Sequence, residues 1–107
     1  MKKIPFEQNT KTDLTPEEIE SYKAEYREVY EITVEDKKCF IHKPTRQILD
    51  AAMNASSKRN SMFNETLLRN CWLAGNKEIM EDDDYFMGAS AQLDQVIEFK
   101  TAELKKL

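Results

Sequence analysis

The stretch VYEITVEDKKCFIHK, Val29 to Lys43, places the tightest limit on the fold. Tyr30, Ile32 and Val34 alternate with Glu31 and Thr33, the period of a strand with one face covered. EDKK interrupts the alternation with a polar turn, and CFIH supplies a return strand. A turn without glycine predicts a loop slightly longer than a tight primed turn. An isolated hairpin is marginal in water, so this one must pack on other elements or pair with strands of another chain. The remaining apolar positions recur at helical spacing, and helices are therefore its expected cover.

The strongest helix start lies just before the hairpin, in LTPEEI. Thr15 can cap the helix, Pro16 suits its first position, and Glu18 completes a capping box. Leu14 and Ile19 are placed to form a hydrophobic staple across it. Ile19, Tyr22 and Tyr26 continue as a narrow apolar stripe, with the end expected near Arg27. Residues 1–13 are polar and aperiodic and read as a flexible tail.

After the hairpin, Pro44 closes the strand, and Pro44 or Thr45 opens a helix with Ile48, Leu49, Ala52 and Met53 on its apolar face. NASSKRNS, Asn54 to Ser61, reads as a polar connection. A helix over Met62 to Ala74 then places Phe63, Leu67, Leu68, Cys71 and Trp72 on one side. Gly75 reads as the left-handed residue that ends it, with Cys71 filling space and Trp72 packing. A last helix is expected over Asp83 to Leu107, with acids at its start and lysines at its end matching the helix dipole. Phe86, Ala89, Leu93, Ile97 and Leu104 form its stripe, widened by Val96 and Phe99. Its length of roughly 35 Å exceeds what a small domain requires, which leaves one end free to meet a partner. The expectation is an α+β, helix-dominated single domain over 14–107. It has one β-hairpin near 29–43, three helices after it and one before.

The chain offers little for chemistry. His42 is its only histidine, so any nucleophilic triad must use it. Cys39 stands three residues away on the same strand, and odd spacing sends the two side chains to opposite faces. A sheet-surface histidine is the expected role. Cys39 and Cys71 lack CxxC spacing and sit among apolar neighbours, as buried free thiols do. Glu81 to Asp84 has neither the alternate spacing nor the glycine of a calcium loop. Lys58 and Arg59 lie in no glycine-rich phosphate loop. No catalytic, metal-binding or cofactor-binding residue is assigned, and the expectation is a protein that is not an enzyme. A net charge of −4 without a dense basic cluster argues against nucleic acid as a partner. No apolar run reaches the roughly 18 residues of a membrane helix. Lys2 and Lys3 have no apolar run behind them, so no signal peptide is read and cytoplasmic residence is expected. Trp72 serves either as a core residue or as a partner anchor. Met53, Met62, Met80 and Met87 serve either as gap-fillers or as an adaptable surface.

The succession of hairpin, KPTRQILDAAM, LLRNCWLAGNKEI and DDDYFMGASAQLDQVIEFKTAELKKL resembles small bacteriophage tail assembly chaperones. Pro44 and Arg46 match the Pro-x-Arg start of the first post-hairpin helix in that family. Asn70, Trp72, Gly75 and Ile79 match its N-x-W-x-x-G segment and the isoleucine that follows. The likeness covers Val29 to Leu107; the helix before it has no counterpart. It implies a non-enzymatic chaperone of a phage or prophage tail, in the cytoplasm of a bacterial host, that keeps apolar segments of the tape-measure protein soluble. It also implies self-association as a homodimer or higher oligomer. The residues expected to meet the partner are Trp72, Phe86, Leu93, Ile97 and Leu104. Two other functions fit the residues. One is a structural or general protein-interaction subunit of a mobile element. The other is a small DNA-binding regulator, whose helix-turn-helix would need a connection shorter than the eight residues read here.

Overall fold

The computed structural model describes residues 8–59, 61–97 and 102–107. One antiparallel sheet runs in the order β1 (Val29–Val34), β2 (Lys37–His42), β3 (Trp72–Gly75). Helix α1 (Pro16–Tyr26) precedes it, while α2 (Arg46–Ser56) and α3 (Ser61–Cys71) lie between β2 and β3. Helices α4 (Glu78–Glu81) and α5 (Asp83–Ser90) and a 3-10 turn (Leu93–Gln95) follow. The expected α+β class holds, with a third strand added to the hairpin.

Strand alternation divides the core into two layers. Ile32, Cys39 and Ile41 face the larger one, with Ala52, Leu67, Leu68, Ile79, Leu93 and Val96 from the helical side. Phe40 faces the other, with Leu14, Leu73 and Ala74 beneath Ile19, Tyr22 and Tyr26 of α1. The capping box forms as expected: Thr15 Oγ1 accepts from Glu18 N at 3.2 Å, and Glu18 Oε1 accepts from Thr15 N at 3.0 Å. Leu14 and Ile19 meet in the same layer. Arg27 ends α1 at φ 77° and ψ −60°, with Glu28 N donating to Tyr26 O at 3.0 Å. Those angles and that bond make a γ-turn of the rare strained kind, which reverses the chain directly into β1.

Several expectations are corrected. Val34 pairs with Lys37, so Glu35 and Asp36 alone make the hairpin turn. Glu35 takes φ 55°, as a tight primed turn requires. Tyr85 of α5 donates to Asp36 Oδ1 at 2.8 Å, so strand pairing and α5 hold a turn these residues would not choose alone. The helix expected to reach Ala74 stops at Cys71, and Trp72–Gly75 is a strand buried along its whole length. Phe40 pairs with Ala74 but Ile41 pairs with Trp72, so Leu73 is the extra residue of a bulge. The bulge sends Trp72 to the larger layer and both Leu73 and Ala74 to the smaller. Gly75 is therefore not a helix cap. Its φ of 146° belongs to a strand that touches β2 backbone to backbone.

The long last helix is broken. It ends at Ser90, and the 3-10 turn brings Leu93 and Val96 back to full burial over the sheet, where a straight continuation would carry them past it. Residues 98–101, including Phe99 of the expected stripe, lie outside the described residues, and 102–107 form no regular element. The α2–α3 connection is residues 57–60, four residues instead of eight. Of the tail expected over 1–13, residues 8–13 are described and bound to the fold. Trp72 Nε1 donates to Asn9 O at 2.6 Å, and Gln8 Nε2 to Arg69 O at 2.7 Å.

Candidate protein-binding groove

Thr45 caps α2, its Oγ1 accepting from Ile48 N at 3.2 Å. That start sets the rotation of the helix. Ala52 enters the core, Ile48 and Leu49 are half-buried against it, and Met53 is left 64% exposed. Beside this face stand Phe63 of α3 and, after the 3-10 turn, Ile97. Together they floor an open groove of about 600 Å³ whose charged edge is Arg46, Asp50 and Asp94. Leu49 and Met53 are one turn apart on α2, as are Arg46 and Asp50, so the groove presents parallel apolar and charged rows. A concave apolar floor with sparse charges at its rim suits an amphipathic helix from another protein.

The residues expected to meet a partner divide sharply. Trp72 and Leu93 are buried in this chain's own core and cannot serve. For Trp72 the core role prevails, with its indole N–H taken by Asn9. Phe86 is half-buried against the core, Ile97 lines the groove, and Leu104 is fully exposed. Met80 fills the core while Met53 and Met87 are exposed. Reasoning on the sequence missed Phe63, Asp50 and Asp94 as groove residues. The signal available was the i, i+4 spacing of Arg46/Asp50 beside that of Leu49/Met53 on one helix.

The candidate chemical groups are separated. Cys39 is enclosed in the larger layer, and burial pushes its thiol and that of Cys71 up to about 12. Neither is a thiolate near neutral pH, so neither is an activated nucleophile. His42 projects to the opposite face, as its spacing requires, but it is buried instead of lying on the sheet surface. Tyr26 covers it, the rings stacked at 4.0 Å and 7°. In the acidic run, Asp82 caps α5 by accepting from Asp84 N and Tyr85 N at 2.9 and 3.2 Å. Arg59 pairs with Glu65 at 3.4 Å. Among the described residues no three of His, Cys, Asp and Glu come together in a way that could hold a metal ion, and no helix is long and apolar enough to cross a membrane. No family model, curated protein or solved structure matches this chain.

Proposed function

We propose that this chain is a protein-binding adaptor that seats an amphipathic helix of a client in the α2–α3 groove. We further propose that it serves as an assembly chaperone of a phage or prophage tail, with the tape-measure protein as client. The groove carries the first step: its apolar floor of Leu49, Met53, Phe63 and Ile97 is open, and Met53 on it is exposed. The sequence resemblance carries the second. Helices α2, α3 and α5 follow the hairpin in the order that resemblance implies, with Arg46 at the start of α2. The chain departs from it in β3 and in the short closing helix.

Co-expression with the tape-measure protein of the same locus, followed by pull-down, tests the proposal. The unaltered chain is expected to retain the client. Met53→Glu is expected to lose it while unfolding within about 0.5 kcal/mol of the unaltered chain, because the position is exposed. Failure of the unaltered chain to associate on co-expression defeats the proposal. Presence in the finished particle would favour the structural-subunit reading instead.

One observation favours the DNA-binding reading: the four-residue α2–α3 connection lies within the range of a helix-turn-helix. Against it, the exposed cation on α3, Arg69, lies beside Glu65 at 3.5 Å. Salt-sensitive retardation of duplex DNA is the measurement that would establish it.

A further inference from the structure

We infer that the outer edge of β1 is a docking site separate from the groove, where an extended, lysine- or arginine-bearing segment of another protein adds as a fourth, antiparallel strand. The site stands whether or not the groove binds a client.

Two observations fix which backbone groups of β1 point outward. Lys43 N donates to Glu28 O at 3.0 Å just before the strand begins, and bonded pairs alternate along an antiparallel ladder. Tyr30, Ile32 and Val34 are then the residues of β1 that bond to β2. On the far side of β2, Lys38 turns its N–H and C=O to Asn76, at 3.0 and 2.8 Å, and so away from its partner Thr33. Both observations put the N–H and C=O of Glu31 and Thr33 on the outer edge. Among the described residues none of these four groups has a hydrogen bond. The edge also lacks the devices that keep strands from pairing: β1 has no lysine and no proline, and its register with β2 is unbroken. An added strand would meet all four groups, as in the known mode of recognition by strand addition.

Side chains make the edge selective. A cavity of about 240 Å³ opens beside it, lined by Ile32, Val96, Gln92 and Gln95. Asp94 and Ile97 of the same turn line the groove instead, so the turn parts the two sites. The residue opposite Ile32 on an added strand shares its face and enters this cavity. Apart from Glu31, whose side chain lies on the other face, the lining carries no charge, so that residue is uncharged. Its two neighbours stand opposite Glu31 and Thr33. Residues 28–36 hold four acids, Glu28, Glu31, Glu35 and Asp36, and no lysine or arginine. Lys38 lies 3.7 Å from Glu31 but also 3.3 Å from Asp13, so it neutralises Glu31 only in part. A cation opposite Glu31 completes the pair. The β1 of a second copy would bring the same acids, and like charges facing across strands are destabilising.

Fluorescence anisotropy of a labelled heptapeptide on the full chain tests the site. The peptide has lysine at every odd position, leucine at its centre and threonine at the remaining two. Binding is expected. Methylating the backbone nitrogens of the two lysines that flank the leucine removes donors aimed at β1 and keeps the charge, and should weaken binding at least tenfold. Thr33→Pro removes an outward N–H that β2 does not use, so the sheet should survive, as thermal unfolding can show, and binding should again fall at least tenfold. Glu31→Lys should weaken binding about tenfold, and a peptide with glutamate in place of lysine should prefer this variant to the unaltered chain. Absence of binding at millimolar peptide overturns the inference. So does binding indifferent to backbone methylation, which is charge attraction alone, or binding abolished by Met53→Glu, which puts the peptide in the groove. A dimer of the free chain that Thr33→Pro dissociates gives the edge to a second copy and overturns it too.

Discussion

Replacing Gly75 with alanine tests the third strand directly. A Cβ at that position would lie 2.5 Å from Cys39 Cα, 2.6 Å from Cys39 Cβ and 2.7 Å from Lys38 O. Two of those atoms are β2 backbone and cannot rotate away. Restoring ordinary contact requires the strands to part by roughly 1 Å. That movement strains the bonds closing this end of the ladder, Asn76 N to Lys38 O at 2.8 Å and Lys38 N to Asn76 Oδ1 at 3.0 Å. Each contributes about 1 kcal/mol, and holding a side chain at φ 146° costs about 1–3 kcal/mol more. The expected loss is about 3–5 kcal/mol, against the 5–15 kcal/mol typical of a domain. Had Gly75 been a left-handed helix cap, alanine would cost only about 1–2 kcal/mol. Urea unfolding followed by the fluorescence of Trp72, in the same strand, separates the two magnitudes. Gly88→Ala is the comparison: its Cβ would lie 2.8 Å from Val34 Cγ1, so that side chain must shift, but no backbone stands in the way and the helix gains about 1 kcal/mol in propensity, so a smaller loss than at position 75 is expected. A loss at position 75 no larger than 1 kcal/mol, with an unchanged denaturant slope, would refute the strand.

Leu93→Ala should destabilise by about 2–5 kcal/mol in the same titration, and Leu104→Ala by less than about 0.5 kcal/mol, since only Leu93 is buried; equal effects would restore the continuous stripe. Cys39 and Cys71 should react with a thiol reagent only as the chain unfolds. Their thiols are raised to about 12 in the fold, so the unfolded chain loses these protons first, and stability is expected to fall as pH climbs from about 8.5 toward 12. Rapid labelling of the native protein would contradict their burial. Tyr85→Phe removes the bond that holds the Asp36 carboxyl below its usual value. A depressed carboxylate stabilises above its unfolded pKa and ceases to do so as pH falls through the folded one. The deficit of Tyr85→Phe should therefore be present at neutral pH and vanish in acid; a pH-independent deficit speaks against the bond.

What the sequence determined was local. Thr15 and Glu18 stand three residues apart, so both partners of the capping box are present before any tertiary contact exists. The alternation of Tyr30, Ile32 and Val34 is local in the same way, and both the box and the strand form. The odd spacing of Cys39 and His42 sends them to opposite faces in any strand. Only the tertiary structure decided the rest. CWLAG is apolar at every position except its glycine, a pattern that suits a buried strand as well as a helix end. Its fate turned on β2, about thirty residues earlier, offering an unpaired edge. The stripe from Phe86 to Leu104 has genuine helical spacing, yet burying Leu93 and Val96 over the sheet stabilises more than the few backbone bonds a straight helix would keep. His42 reads as a surface residue until Tyr26 of α1 is laid over it. The groove likewise belongs to no single segment: Leu49, Phe63 and Ile97 meet only because three elements converge on one core, and long-range packing energy outweighs local preference wherever the two disagree.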